Sequence, residues 1–226
     1  MNLFVKMSAV AACVALSSCV LVVNAGEARY DQPRDADRNS VNRDITLPAG
    51  SFVEDVSSVN GNIDIGDTSV AESVTSVNGD IRIGQRCRIE SIESVNGRMH
   101  VGAGSTIGDD IEVVNGDIEL LAEVRIGGDI STVNGALTAT AATVRGSVET
   151  VHGRIDLRDG TRVDGGLHVE DTGNNRKLAK RVVIVLGQDV VVAGESVFER
   201  PVEIHQHATA SLGSYRGDDV KIMPLD

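Results

Sequence analysis

Pairs of apolar residues separated by one polar residue recur along the chain. They are Ile45/Leu47, Ile63/Ile65, Ile81/Ile83, Met99/Val101, Ile118/Leu120, Leu137/Ala139 and Ile155/Leu157. This period of two places both members of a pair on one face of a short strand. A second apolar position follows five or six residues later, at Phe52, Val70, Ile89, Ile107, Ile126, Val144 and Val163. A third comes at Val56, Val74, Ile92, Ile111, Ile130, Val148 and Leu167. Each repeat therefore offers three short faces that point inward.

A tripeptide marks the repeat. Val-Asn-Gly begins at Val59, Val77, Val95, Val114 and Val133, with Val41-Asn42-Arg43 before it and Val151-His152-Gly153 after it. The steps are 18 or 19 residues. Repeats of this length, each unable to bury its apolar face alone, stack on near-copies of themselves. The pattern predicts an all-β fold: a single-stranded parallel β-helix, or β-solenoid, of about ten triangular coils of about 18 residues. A right-handed coil is favoured, because crossovers between parallel strands are right-handed in the great majority of folds. The register breaks after Val169, where Glu170 to Lys180 is polar and reads as an inserted loop. It resumes at Ile184/Leu186, Val202/Ile204 and Val220/Ile222, read as 18 residues apart. Nine rungs of about 4.8 Å predict a rod about 43 Å long.

The Asn-Gly pairs suit sharp corners, since glycine tolerates positive φ. These structural turns are Asn60-Gly61, Asn78-Gly79, Asn96-Gly97, Asn115-Gly116 and Asn134-Gly135. Stacked above one another, their amides can hydrogen-bond along the rod axis. Two ladders of outward residues are expected. One contains Asp64, Arg82, His100, Glu119, Thr138 and Asp156; the other contains Asn62, Asp80, Arg98, Asp117, Ala136 and Arg154. Opposite charges often neighbour each other along them, which reads as a solvated, salt-laced face. Phe52, Phe198 and Tyr215 fall in the first and last coils, as expected of atypical terminal repeats. An uncovered last coil would present strand edges able to join another copy, unless Pro201 and Pro224 blunt them.

Ahead of the repeat, Lys6 precedes a largely apolar run from Met7 to Val23, and Val23-Asn24-Ala25 fits a cleavage site. Residues 1–25 are thus expected to be a signal peptide. Leu16-Ser17-Ser18-Cys19 also resembles a lipobox, in which case the leader ends before Cys19 and that cysteine carries lipid. Residues 26–40 read as a flexible linker and 41–226 as the solenoid, with the loop insertion at about 170–180. The expected location is the periplasm, either free or membrane-anchored as a lipoprotein. Cys87 is the only cysteine beyond the leader, so the folded part can form no internal disulfide. The net charge of −12 and the lack of a basic stripe argue against nucleic acid as a partner.

In repeat style, residues 41 to 222 resemble the bactofilin-type, polymer-forming β-helix proteins. Gly128-Asp129-Ile130 and Val144-Arg145-Gly146-Ser147-Val148 carry the likeness best. The resemblance implies a right-handed β-helix that self-assembles into structural filaments. The leader departs from that family, which is cytoplasmic or associated with the membrane from that side. Ile83, Ile89, Val95, Val101 and Ile107 are spaced by six and also resemble the hexapeptide-repeat left-handed β-helices, many of them acyltransferases. The hexad slips at Val114 and Val133.

No phosphate loop, nucleophile elbow or zinc-type cysteine spacing occurs. Catalytic residues and cofactors are therefore expected to be absent. His205 and His207 alternate with Glu203 and are weak candidates for a metal. Alternate strand positions lie about 6.6–7 Å apart, too far for one ion to take all three readily. Arg176, Lys177, Lys180 and Arg181 form the one small basic patch, a candidate docking loop. The leading expectation is a non-enzymatic structural or scaffold protein of the bacterial cell envelope, self-associating through the solenoid ends. The alternatives are an envelope binding module for polysaccharide or protein and, behind it, a β-helix enzyme.

Overall fold

The computed structural model describes residues 38–171 and 181–225. The expected leader with Cys19, most of the linker and most of the loop insertion lie outside the described residues. Arg38–Ser40, at the end of the stretch read as linker, is a strand paired with Val56, Ser57 and Ser58.

All of the strand pairings are parallel, and they stack on three lines. The first line is a ten-stranded sheet running from Ile45–Leu47 to Val220–Leu225. The second is a row of two-residue strands from Thr106–Ile107 to Ser211–Leu212. The third runs from Arg38–Ser40 to Tyr215–Gly217. Near the N-terminal end, the nine-residue strands Val70–Asn78 and Arg88–Asn96 pass round a corner and join the second and third lines into one sheet. The molecule is a parallel β-solenoid of about ten coils, and its core is the column of side chains enclosed by the three lines.

Like stacks on like through most of this core. Ile63, Ile81, Met99, Ile118, Leu137 and Ile155 succeed one another in register and are buried. Parallel strands buried on one face favour branched aliphatics, whose stiff side chains fill the pleat. The third-position residues Val56, Val74, Ile92, Ile111, Ile130, Val148 and Leu167 are likewise fully buried.

Three expectations need correction. Phe52 is exposed and Val70 only half-buried, while their neighbours Val53 and Ala71 point inward. The register decides this: Val70 pairs with outward Arg88, and Ala71 pairs with inward Ile89. A slip of one residue exchanges the two faces of a strand. Secondly, Ile184 pairs with Ile204, a step of 20, and Ile204 with Ile222, a step of 18. The residue beside Val202 is therefore Val182 rather than Ile184. A two-residue slip preserves which side chains face inward, so the alternation alone could not reveal it. Thirdly, Asp156 holds its expected place in the outward ladder but is buried.

Two kinds of corner alternate. After the first line, the chain passes through positive φ at Gly50, Thr68, Arg86, Gly104, Glu123 and Ala141. Space there is open, so residues with side chains accept the left-handed conformation. At the Asn-Gly corner glycine is required twice over. Gly79, Gly97, Gly116 and Gly135 have φ between +136° and +154°. A Cβ at any of them would run into the carbonyl oxygen of the corner glycine one coil below. Gly61 lacks the unusual φ, yet the Arg43 carbonyl occupies the same position beneath it.

Buried hydroxyls line one inner column. Ser58 and Ser76 donate to the carbonyls of Gly61 and Gly79, at 3.0 and 3.4 Å. The hydroxyls of Ser94 and Thr132 are buried with no hydrogen-bond partner. Replacing Thr132 by Val keeps the shape and removes the unpaired hydroxyl. Thr132→Val should raise stability by about 1 kcal/mol, read from the midpoint of urea unfolding. Gly97→Ala should lower it by about 2–4 kcal/mol, through backbone strain and overpacking together. Gly50→Ala, with positive φ but nothing near the added methyl, should lose only about 1 kcal/mol.

Candidate functional site

An amide ladder runs up the Asn-Gly corner. Asn60 donates through Nδ2 to Asn42 Oδ1 at 3.0 Å, and Asn78 to Asn60 at 2.9 Å. Asn96, Asn115 and Asn134 continue it, each donating at 2.9 Å to the asparagine below. Every amide points the same way, so the small dipoles add along the rod. The ladder ties coils together and leaves its outer edge exposed. His152 occupies the next rung.

The outer face of the ten-stranded sheet holds the charged ladders. Asp64 pairs with Arg82, Arg82 with His100, and His100 with Glu119 across successive coils. Arg82 reaches Asp80 at 2.9 Å and Asp64 at 3.4 Å, and His100 Nδ1 meets Glu119 at 2.9 Å. These groups are largely exposed, so each pair contributes little to stability. The neighbouring column has a different task. Asp44, Asn62, Asp80 and Asp117 each accept the backbone N–H of the residue one coil above, at 2.7–2.9 Å. Asp110 and Asp129 do the same at another corner. These aspartates therefore serve backbone donors at bends, where no strand partner is available.

The same face continues into the C-terminal half, where its lining changes. A cavity of about 470 Å³ has Val183 and Val185 in its wall, with Asp156, Arg154, Arg158 and His205 around them. Asp156 accepts two hydrogen bonds from Arg158, at 2.6 and 2.8 Å, and one from Arg154 at 3.4 Å. The Arg158 hydrogen bonds hold its carboxyl below the usual carboxylate range, against the opposing effect of burial. A second cavity, of about 340 Å³, lies beside it and shares Arg154 and Val183. Its walls include His152, Arg181 and Arg200. Burial, and then the charge of Arg200, push the His152 pKa down.

The histidine pair expected as a weak metal site is not gathered on one centre. His205 Nε2 bonds Glu203 at 2.9 Å, whereas His207 Nδ1 bonds the Thr209 hydroxyl at 3.0 Å. Among the described residues no group of three or more His, Cys, Asp or Glu is placed to hold a metal ion. Cys87 is buried one coil above Ser69 and one below Ser105. Its Sγ lies 3.2 Å from the Gly66 carbonyl, and the Ser105 hydroxyl accepts its backbone N–H at 3.1 Å. The thiol thus fills a serine position, and burial pushes its pKa up, away from a reactive thiolate. No described helix is long and apolar enough to cross a membrane.

Arg200 was not singled out in the sequence. It falls outside the repeat pattern, beside Pro201, so no periodic signal marks it. Asp156 was visible only as one more outward charge, because its burial depends on Arg158 and on the coils above.

The chain is a β-helix repeat protein by architecture. No family model, no curated protein and no solved structure matches it.

Asp156→Asn tests the carboxylate cluster. A depressed folded pKa stabilises the protein above the unfolded value of 3.8 and loses that effect as pH falls through the folded pKa. At pH 7 the variant should be about 1.5–3 kcal/mol less stable than the parent. That gap should close as the pH is lowered below 3.8, followed by chemical unfolding at stepped pH.

Proposed function

We propose that this chain is a non-enzymatic structural or scaffold protein of the bacterial cell envelope whose rods associate through their C-terminal coil. One observation carries the assembly step. Ile204 is fully buried, while Ile222, next above it in the same inward column, is 46% exposed. The core column continues to the last described coil without a large side chain or helix laid over it.

The surroundings of Ile222 support the same reading. Every exposed large apolar residue among the described ones lies in the first or last coils: Val41, Phe52, Tyr215, Ile222 and Met223. The intervening coils have none. Phe198 is buried beneath the last described coil, and Tyr215 packs against it at a tilt, with ring centroids 6.2 Å apart. The strand edge is also available. Inward residues of the first line donate to the coil above, as Val202 does to Asp219 at 3.0 Å. By the same alternation, Val220 and Ile222 present their N–H groups at the free edge. Pro224 lies at the next such position and has no N–H to offer, which limits the length of edge open to pairing.

Export supplies the setting for this reading. The leader, with either cleavage after Ala25 or lipid on Cys19, places the rod outside the cytoplasm. The polar stretch that follows serves as its tether. The long charge-laced faces keep the sides of the rod soluble and direct association to its end. A contact between two C-terminal ends closes into a dimer, whereas an end-to-start contact propagates into a filament.

Sedimentation velocity and negative-stain microscopy of residues 26–226 over a concentration series test the proposal. Dimers or filaments that grow with concentration are expected. Ile222→Lys should abolish them while leaving the β-sheet circular dichroism unchanged. Single rods of about 43 Å at every concentration would overturn the assembly reading.

A further inference from the structure

We propose that the cavity beside Arg200 is a binding site for an oxyanion group, a phosphate, sulfate or carboxylate presented by a ligand. The key residue is Arg200, which is 8% exposed. Among the described residues its one hydrogen-bond partner is the Val151 carbonyl, and no carboxylate makes an ion pair with it. A mostly buried guanidinium without a counter-ion is costly, because the charge has lost much of its water and no opposite charge makes up for it.

The neighbours of Arg200 fix the sign of the site. Arg181 also lines the cavity, held by both carboxylate oxygens of Asp219 at 2.7 Å and by the Val202 carbonyl at 3.2 Å. Arg154 lines it too, and its carboxylate partner Asp156 is shared with the closer Arg158. Three arginines thus line a space of about 340 Å³, and among the described residues Arg200 is the one left without an acid. This occurs in a chain whose net charge is −12, so the local excess runs against the overall field.

The geometry suits a small charged group more than a long polyanion. Arg154 and Arg181 are anchored by their own carboxylates and so are positioned in advance. Arg200 spends one N–H on Val151 and keeps four donors. Guanidinium forks match the paired oxygens of phosphate, sulfate and carboxylate. Val183, on the outward side of its strand, completes the lining and would meet the apolar part of whatever carries the anion. The shared wall with the larger cavity gives that carrier room to continue along the sheet face.

The test is isothermal titration of the full chain with inorganic phosphate, sulfate and acetate, at ionic strength matched with chloride. Thermal unfolding is followed in the same buffers. Saturable binding of at least one oxyanion, with a rise in melting temperature beyond that in chloride, is expected. The three arms identify which group is preferred. Arg200→Gln should weaken that binding at least tenfold. Val183→Glu retains Arg200 but places a carboxylate on the cavity wall. It should also weaken binding at least tenfold, and it guards against a folding defect in the first variant. No response beyond chloride, or undiminished binding in both variants, would overturn the proposal.

Discussion

Consecutive coils must lie within a single β-rung of each other, and the rest of the molecule follows from that closeness. At the Asn-Gly corner the backbone of one coil passes directly over the carbonyl of the coil below. There is no volume for a Cβ at Gly79, Gly97, Gly116 or Gly135. Once the glycines bring the corners together, the asparagines beside them come within 2.9–3.0 Å and bond along the axis. The same spacing brings each inward aliphatic onto its counterpart, so the core is a column with few aromatics. It also lets Asp44, Asp80 and Asp117 reach backbone donors one coil above.

A stack closed by its own repetition is specified along its length and underdetermined at its end. Each inner coil shields the one beneath it, as Ile222 shields Ile204, but among the described residues no further coil lies over Ile222 itself. That residue links the architecture to the proposed assembly. The Arg200 cavity has a separate origin. It lies where Ile155 pairs with Ile184, a step of 29 residues in place of 18 or 19. There the uniform charge ladder gives way to Val183 and Val185, flanked by guanidiniums. Function is proposed at the two places where repetition fails, because identical coils offer no feature that distinguishes one point on the rod from another.

Strand register decides the placement of both Phe52 and Ile184. From the sequence Phe52 reads as inward, because it is apolar and falls at about the right interval. Its neighbour Val53 is equally apolar, and only pairing with the coils above decides between them. The shift at Ile184 is subtler, since Val182, Ile184, Val202 and Ile204 all face inward in either register. Cys87 illustrates the reverse case. It reads in isolation as a small buried hydrophobe, yet its column shows a thiol in place of a serine hydroxyl, between Ser69 and Ser105.

The sequence by itself determined the solenoid, its coil length, the Asn-Gly corners and most of the core, because each depends on a short pattern repeated until chance is excluded. Tertiary structure alone decided the register where that pattern is ambiguous or interrupted. It also decided the burial of Asp156 and the isolation of Arg200. Those properties belong to residues on different coils, Arg200 with Val151 and Arg181 with Asp219, whose approach no local periodicity encodes. A repeat announces itself along the chain, whereas a cavity exists only where non-repeating side chains are brought together by the stack.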